Sequence, residues 1–221
     1  MLGSAILNRV SEILQDASNV TWTAPQMIEW LNDAIRALVL VRPDASSTTT
    51  SMQLSAGTKQ GLASGDLRLI RVARNMGSNG TTPGKAVRLG SIGDIDSFNP
   101  DWHTDTPAIA IREYMYDDAR PNEFWVYPPV HGTTQVHVEI VKSVLPSSMT
   151  DSSETVPVAD IYAPALIEWC CYRAFSRDSE HTPNWQRGAR HFAAFFNLLQ
   201  IKMKSDMAIN PKVRAMVEKQ A

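Results

Sequence analysis

Apolar residues recur at intervals of three and four in the first part of the chain, a spacing that predicts amphipathic helices. The first such stretch covers residues 6–14, and we expect its helix to end near residues 16–19. A second stretch follows Thr23 and Gln26, whose types and spacing form a capping box at a helix start. Pro43 ends the pattern, because proline cannot continue a helix. The N-terminal part therefore predicts two helices joined by a short connection.

The same spacing returns towards the C-terminus and predicts two further helices. The third should begin at about residue 159, with Pro164 in its first turn, and end near Asp178. Thr182 followed by Pro183 has the order of an N-cap and a first helical residue, so a fourth helix should begin there. Its predicted apolar face comprises Phe192, Phe195, Phe196, Leu199 and Met203.

Residues 45–156, between the two pairs of helices, have a different pattern. Ser, Thr, Gly and Pro become frequent, and apolar residues begin to alternate with polar ones, which is typical of strands. The clearest part predicts a three-stranded meander, and a Ser/Thr run at residues 46–51 is the one low-complexity tract. The expected elements are meander strands at 108–116, 123–127 and 134–140, a hairpin of 67–73 with 86–89, and a short helical turn at 92–98.

These patterns predict an α+β fold with three parts. Residues 1–44 and 157–208 should form a four-helix core, with two helices from each end of the chain. Residues 45–156 should form a β-rich insertion, and residues 209–221 an extended C-terminal tail.

The tail differs from the helices that precede it. Asn210 and Pro211 break the fourth helix, and the few residues that follow are too short a stretch for a stable isolated helix in water. The residues from Lys202 onward are also locally basic. We expect the tail to become ordered only when it docks on another surface, and a frayed terminus with no role is the alternative.

Composition limits the possible function classes. The 221 residues include 21 Lys and Arg against 23 Asp and Glu, a formal net charge of -2, so no overall basic excess favours tight nucleic-acid binding. No apolar run reaches the roughly 20 residues that span a bilayer, and no signal sequence is recognisable, so we expect no membrane contact. The adjacent Cys170 and Cys171 are interpreted as small buried residues, with a vicinal disulfide or a metal pair as the alternatives.

The residues typical of catalysis do not form a recognisable pattern. Residues 79–86 resemble a phosphate-binding loop, but Asn79 and Ala86 stand where that motif needs Gly and Ser or Thr. The five histidines are scattered, and no Gly-x-Ser-x-Gly elbow is present. A cation site at Asp94, Asp96, Asp101 and Asp105 lacks the spacing of a calcium loop. We therefore predict no catalytic residue, no cofactor and no metal site.

Aromatic residues cluster in the predicted meander. Acidic residues surround them, which disfavours stacking with nucleic-acid bases and favours sheet core combined with a surface for other proteins. The predicted subunit or tail interface comprises Tyr114, Tyr116, Phe124, Trp125 and Tyr127.

Four stretches together resemble the head-to-tail adaptor, or connector, proteins of tailed bacteriophages. They are the helix at residues 6–14, TAPQMIEWLNDA at 23–34, RPNEFWVYPP at 120–129 and PALIEW at 164–169. These patterns maintain a fold, and the resemblance spans most of the chain.

The resemblance implies a structural protein of the virion and no enzyme. Adaptors of this kind form a ring, usually a dodecamer, that binds the portal protein above and a tail or nozzle protein below. Double-stranded DNA would pass through the lumen in passive contact. The protein would be made in the host bacterial cytoplasm and located at the head–tail junction of the virion. The tail would then dock on the portal through Lys212, Val213, Arg214, Met216 and Val217.

Two alternatives to the adaptor role remain from the sequence. One is another connector component, such as a head-completion, stopper or tail-terminator protein. The other is an enzyme of unknown type, which a cleft with convergent titratable groups would favour.

Overall fold

The computed structural model describes residues 1–177 and 182–209, and within them the fold is α+β with five α-helices and two sheets. The chain divides into two compact units. We call residues 1–42 together with the described residues from 146 onward the helical unit, and residues 43–145 the β unit.

The helices are α1 Gly3–Ile13, α2 Ala24–Val41, α3 Ile92–Phe98, α4 Ala163–Arg177 and α5 Thr182–Ile209. The strands are β1 Ser47–Gln53, β2 Gly57–Gly61, β3 Asp66–Asn75, β4 Arg88–Leu89, β5 Glu113–Tyr116, β6 Glu123–Val130 and β7 His137–Val144. Short 3-10 turns occupy Pro43–Ser46, Trp102–Thr104 and Asp160–Tyr162.

The helical unit contains α1, α2, α4 and α5, and α4 packs against the other three. Helix α1 ends at Ile13, earlier than residues 16–19, because Gln15 has a left-handed backbone (φ 56°) and the chain turns there. The carboxylate of Asp16 then accepts the backbone N–H groups of Val20, Thr21 and Trp22 at 2.8–2.9 Å. These bonds, that from Trp22 first, lower the pKa of Asp16. The connection between α1 and α2 is thus organised by one carboxylate.

The predicted start of α2 is confirmed. The backbone N–H of Thr23 donates to Oε1 of Gln26 at 3.3 Å, as a capping box requires. Pro164 lies in the first turn of α4, and α5 begins at Thr182, both as expected.

Residues 146–156 belong to the helical unit, whereas their composition had assigned them to the insertion. The side-chain amide of buried Asn32 pairs with both backbone groups of Met149, donating to its oxygen at 2.9 Å and accepting from its nitrogen at 2.8 Å. The backbone N–H of Gly3 donates to the oxygen of Glu154 at 2.9 Å, and a Cβ on Gly3 would lie 3.1 Å from the oxygen of Ser152. The amino-acid composition of a short stretch carries no information on these long-range hydrogen bonds. For this reason the sequence predicts the end of the insertion at residue 156, whereas the contacts place the end of the β unit at residue 145.

The β unit contains two sheets, with strand orders β1-β7-β3 and β2-β6-β5-β4. The predicted pairing of β5 with β6 is confirmed, but the predicted meander is wrong in its third strand. Strand β7 pairs with β1 on one edge and β3 on the other, and both pairings are antiparallel. Since both edges of β7 are already hydrogen-bonded to β1 and β3, β7 cannot also pair with β6 to extend the β5–β6 hairpin.

The predicted hairpin of residues 67–73 with 86–89 is also largely wrong. Strand β4 pairs in parallel with β5. The residues just before β4 meet the end of β3 through a bridge from Arg74 to Ala86 and through backbone hydrogen bonds of Asn75 and Val87, so the hairpin forms only next to its turn. The Ser/Thr run forms β1, and the sequence prediction contained neither β1 nor β2. Both are edge strands, and the outer face of β1 is largely exposed, so they lack a clear apolar alternation.

Alternation along β7 is confirmed for its apolar members, since Val136, Val138 and Ile140 are buried, whereas Thr134 is exposed. They join a core shared by both sheets. On the other face of the four-stranded sheet Trp102 is buried and stacks on His103, and its indole N–H donates to Asp96 at 2.8 Å. None of the helices in residues 1–177 and 182–209 combines the length and the apolar character that crossing a bilayer would take.

Candidate functional site

The five predicted interface aromatics lie on both faces of the β5–β6 hairpin. Tyr114 and Phe124 are only 6% and 0% exposed and belong to the core of the β unit. Neighbouring residues of a strand point to opposite faces, so Trp125 and Tyr127 point away from that core. Tyr116 pairs with Phe124 across the hairpin and packs against the core, but it is half-buried, as are Trp125 and Tyr127. The aromatics that another protein could contact in this region are thus Tyr116 on one face of the hairpin and Trp125 and Tyr127 on the other.

Hydrogen bonds hold two of these accessible aromatics in place. The hydroxyl of Tyr127 donates to Oδ2 of Asp105 at 2.9 Å, and the same oxygen accepts the side-chain amide of Asn99 at 2.8 Å. The bond to the Asp105 carboxylate raises the pKa of Tyr127 above its ordinary value. The hydroxyl of Tyr116 accepts from the guanidinium of Arg68 at 3.3 Å. Both rings are thus fixed before any partner arrives, which reduces the entropy lost on binding.

A groove of about 530 Å³ lies beside Tyr127, between α3 and the edge strand β4. The N–H groups of Arg88 and Gly90 donate to the oxygens of Arg112, just before β5, and of Tyr114 in β5, so the peptide groups of Leu89 face the open edge of the sheet. The side chains of Leu89 and Phe98 are 68% and 91% exposed, and α3 has no buried residue. A groove that combines exposed apolar side chains with an open sheet edge is suited to binding an extended segment of another protein. The sequence predicted α3 but not this groove, because the spacing of apolar residues along the chain does not show which of them are exposed.

The helical unit contains a second cleft, of about 540 Å³, beside the α4–α5 pair. His191 and Glu168 meet there, with Nδ1 2.6 Å from Oε2, although the histidines looked scattered in the sequence. The ring of Phe175 stacks on His191 at 5.4 Å, and the guanidinium of Arg187 lies 5.8 Å above Phe175. The described residues that line the cleft are Ile13, Leu14, Gln15, Glu168, Phe175, Arg187, Arg190, His191 and Ala194.

This cleft brings together an acid and an imidazole, the kind of pair that the enzyme alternative would need. Acyl transfer and similar chemistry also require a hydroxyl or thiol within reach of the base. None of the described residues lining the cleft carries one. The pair is therefore a hydrogen-bonded contact between α4 and α5 that orients His191.

The two cysteines are buried and free in α4, which confirms that they are small buried residues. Burial raises the pKa of the Cys170 thiol, and raises that of Cys171 to about 12. A thiolate is the nucleophilic form of cysteine, so neither is an activated nucleophile at neutral pH.

Both thiols should consequently resist a thiol reagent such as DTNB while the protein is folded. At pH 8 we expect no release of the yellow thiolate within minutes, followed by two equivalents after unfolding in guanidinium. Rapid reaction of the native protein would contradict the burial of the pair.

The acidic residues considered for a cation instead accept hydrogen bonds, as Asp96 does from Trp102 and Asp105 from Asn99 and Tyr127. No group of three or more His, Cys, Asp or Glu in the described part of the chain is placed to hold a metal ion. In the loop that resembles a phosphate site, Oδ1 of Asn79 accepts the N–H groups of Thr81 and Thr82. The loop thus uses two of its amides internally.

Comparison with protein families decides the class. Residues 1–215 match the family described as SU10 adaptor protein. The chain belongs to the SU10 adaptor family. Members of this family are phage head-to-tail adaptors, so the resemblance noted in the sequence is confirmed and the protein is a structural component of a phage virion. No curated protein matches the sequence.

The match to the SU10 adaptor family covers both units and continues beyond the last described residue. The predicted docking residues Lys212, Val213, Arg214, Met216 and Val217 lie outside the described residues.

Proposed function

We propose that this SU10 adaptor forms a ring between the portal and the tail, and that the genome passes through its lumen. The proposal rests on the family match over residues 1–215, which includes both units of the chain. A dodecamer would match the ring usual among adaptors of this kind. A net charge of -2 is compatible with passive contact with DNA, because tight phosphate binding needs many cationic contacts.

In this proposal the two units have different tasks. Helices α1, α2, α4 and α5 form a four-helix core that keeps neighbouring subunits in register. The β unit contacts the tail or nozzle protein through Tyr116, Trp125 and Tyr127 and the groove at the β4 edge. The preformed rings and the open sheet edge support this assignment, since both suit recognition of another protein.

The tail from Asn210 to Ala221 would bind the portal. Its sequence supports this task, since it is basic and carries a few apolar side chains at helical spacing. The residues with the largest expected contributions are Lys212, Val213, Arg214, Met216 and Val217.

Deletion of residues 210–221 should abolish binding to the portal while the fold is retained. The expected result is complete loss of capture by the portal protein of the same phage, with an unchanged far-UV circular dichroism spectrum. A full-length variant with the apolar tail residues changed, V213S/M216S/V217S, should lose most binding without shortening the chain. Undiminished capture of the deletion variant would contradict portal docking by the tail.

Electron microscopy of the wild-type protein mixed with portal tests the position in the virion. A ring of density directly below the portal is expected. Density at the distal end of the tail, or a plug across the channel, would instead indicate a tail-terminator or stopper protein.

A further inference from the structure

Helix α5 carries an apolar surface that its own chain leaves uncovered. Trp185, Phe192, Met203 and Met207 are 62%, 39%, 44% and 56% exposed. Successive members are seven, eleven and four positions apart, which places all four on one face of the helix, since 3.6 residues make one turn. We call these four residues the α5 stripe.

The α5 stripe lies beside the buried ridge of the helix and not on it. Phe195 and Leu199, the members of the predicted apolar face that are buried, form the ridge against α4. Phe192 contacts the rings of Trp169 and Tyr172 at one flank of this ridge, with centroids 6.1 and 5.0 Å apart. The sequence thus predicted one apolar face, and the structure divides it into a buried half and an exposed half.

The opposite flank of the ridge faces the cleft beside the α4–α5 pair. His191 bonds to Glu168 there, in the cleft that Ile13 and Leu14 of the α1 region also line. The α5 stripe therefore faces away from α1, and the α1 region occupies a different side of the helical unit.

A second exposed patch is present on that unit, around the N-terminus. Leu2 and Ile161 are exposed apolar residues, and the N-terminal ammonium pairs with the exposed carboxylate of Asp160 at 2.7 Å. Leu2 bridges to Thr155, which brings the loop containing Asp151 and Glu154 to the same place. Hydrogen bonds, first from Ser153 and Thr150 respectively, lower the pKa of Asp151 and Glu154, so both are ionised at neutral pH. We call Leu2, Ile161 and these three acids the N-terminal patch.

The two surfaces are complementary in charge. Lys204 lies one turn before Met207 at the border of the stripe, whereas Arg187 and Arg190 line the cleft on the other flank and Lys202 pairs with Asp206. The N-terminal patch has three carboxylates against one ammonium. A specific protein interface usually has an apolar centre, and the charges around that centre face opposite charges on the partner.

We propose that the α5 stripe of one copy binds the N-terminal patch of the next copy. This inference rests on the proposed ring, because a closed ring requires a heterologous contact between two different surfaces of the same chain. The stripe exposes apolar surface on the order of 500 Å², which is more than half of the roughly 800 Å² that each partner buries in a stable interface. Apolar patches of about this size are often binding surfaces.

The test measures assembly of purified protein on the portal of the same phage by sedimentation velocity. M203Q/M207Q should reduce assembly about tenfold or more, because it makes the stripe polar. The matched control is I201Q, which changes an equally exposed apolar residue of α5 outside the stripe and should assemble as the wild type does. Thermal melting of each variant checks that the fold is kept.

Charge reversal identifies the occupant of the stripe. K204E and D160K should each weaken assembly, since each places like charges across the contact, and the double variant K204E/D160K should recover most of it. Normal assembly of M203Q/M207Q, or no recovery in the double variant, would overturn the proposed contact while the ring itself stands. Failure of the wild-type protein to form any ring on portal would instead refute the proposed function.

Discussion

Replacement of Phe124 by alanine should lower the free energy of unfolding by about 3–5 kcal/mol, among the largest effects of any single substitution in this protein. Phe124 is fully buried between the two sheets of the β unit, so its removal loses the burial of a large ring and leaves a cavity. Urea denaturation followed by circular dichroism and tryptophan fluorescence measures the loss.

The matched control is Trp125→Ala, the next residue of β6, which points to the other face and is half-buried. It should cost much less stability, about 1–2 kcal/mol, because part of its surface is already in water. If Trp125 contacts the tail protein as proposed, W125A should also weaken that binding, whereas F124A should affect binding only as far as it unfolds the unit. Equal losses of stability in the two variants would contradict the division of the aromatics between core and surface.

The helices were the most predictable part of the fold. Their apolar spacing is long, and local signals mark the starts of α2 and α5, so the sequence alone placed these helices within a few residues. The end of α1 was predicted too late, because the left-handed turn at Gln15 is compatible with a continuing helical pattern.

Strand partners were less predictable because they are chosen by distant parts of the chain. Strand β7 has the alternation expected of a half-buried strand, but its neighbours β1 and β3 come from residues some 65–95 positions earlier. No local signal distinguishes these neighbours from β6. The same reason explains why β4 pairs with β5 and not with β3.

The candidate surfaces show a similar division. Alternation along β6 contains the information that Phe124 and Trp125 face opposite sides, so grouping them as one interface ignored a usable signal. The pair of Glu168 and His191 had no such signal, since it depends on the register of α4 against α5. The exposed half of the α5 face was equally hidden, because a periodic apolar face does not reveal which half is covered within one chain.

Asn32→Ala should destabilise the helical unit by about 2–3 kcal/mol, because it removes two hydrogen bonds from a buried site. The amide of Asn32 is the partner of both the N–H and the C=O of Met149, which is itself buried, so alanine would leave two backbone groups unsatisfied. Amide hydrogen exchange of Met149 should become faster, and the melting temperature should fall by several degrees.

Arg36→Ala is the control for Asn32, because it removes a different bond between α2 and the same segment. The guanidinium of Arg36 donates to the hydroxyl of Ser148 at 2.8 Å, but this contact is exposed and should be worth at most about 0.5 kcal/mol. A comparable loss in both variants would show that the exposed hydrogen bond of Arg36 stabilises the unit as much as the buried amide of Asn32 does. A loss confined to N32A would show that burial of the amide, and not the mere presence of a link, keeps residues 146–156 in the helical unit, as the long-range pairing with Met149 implies.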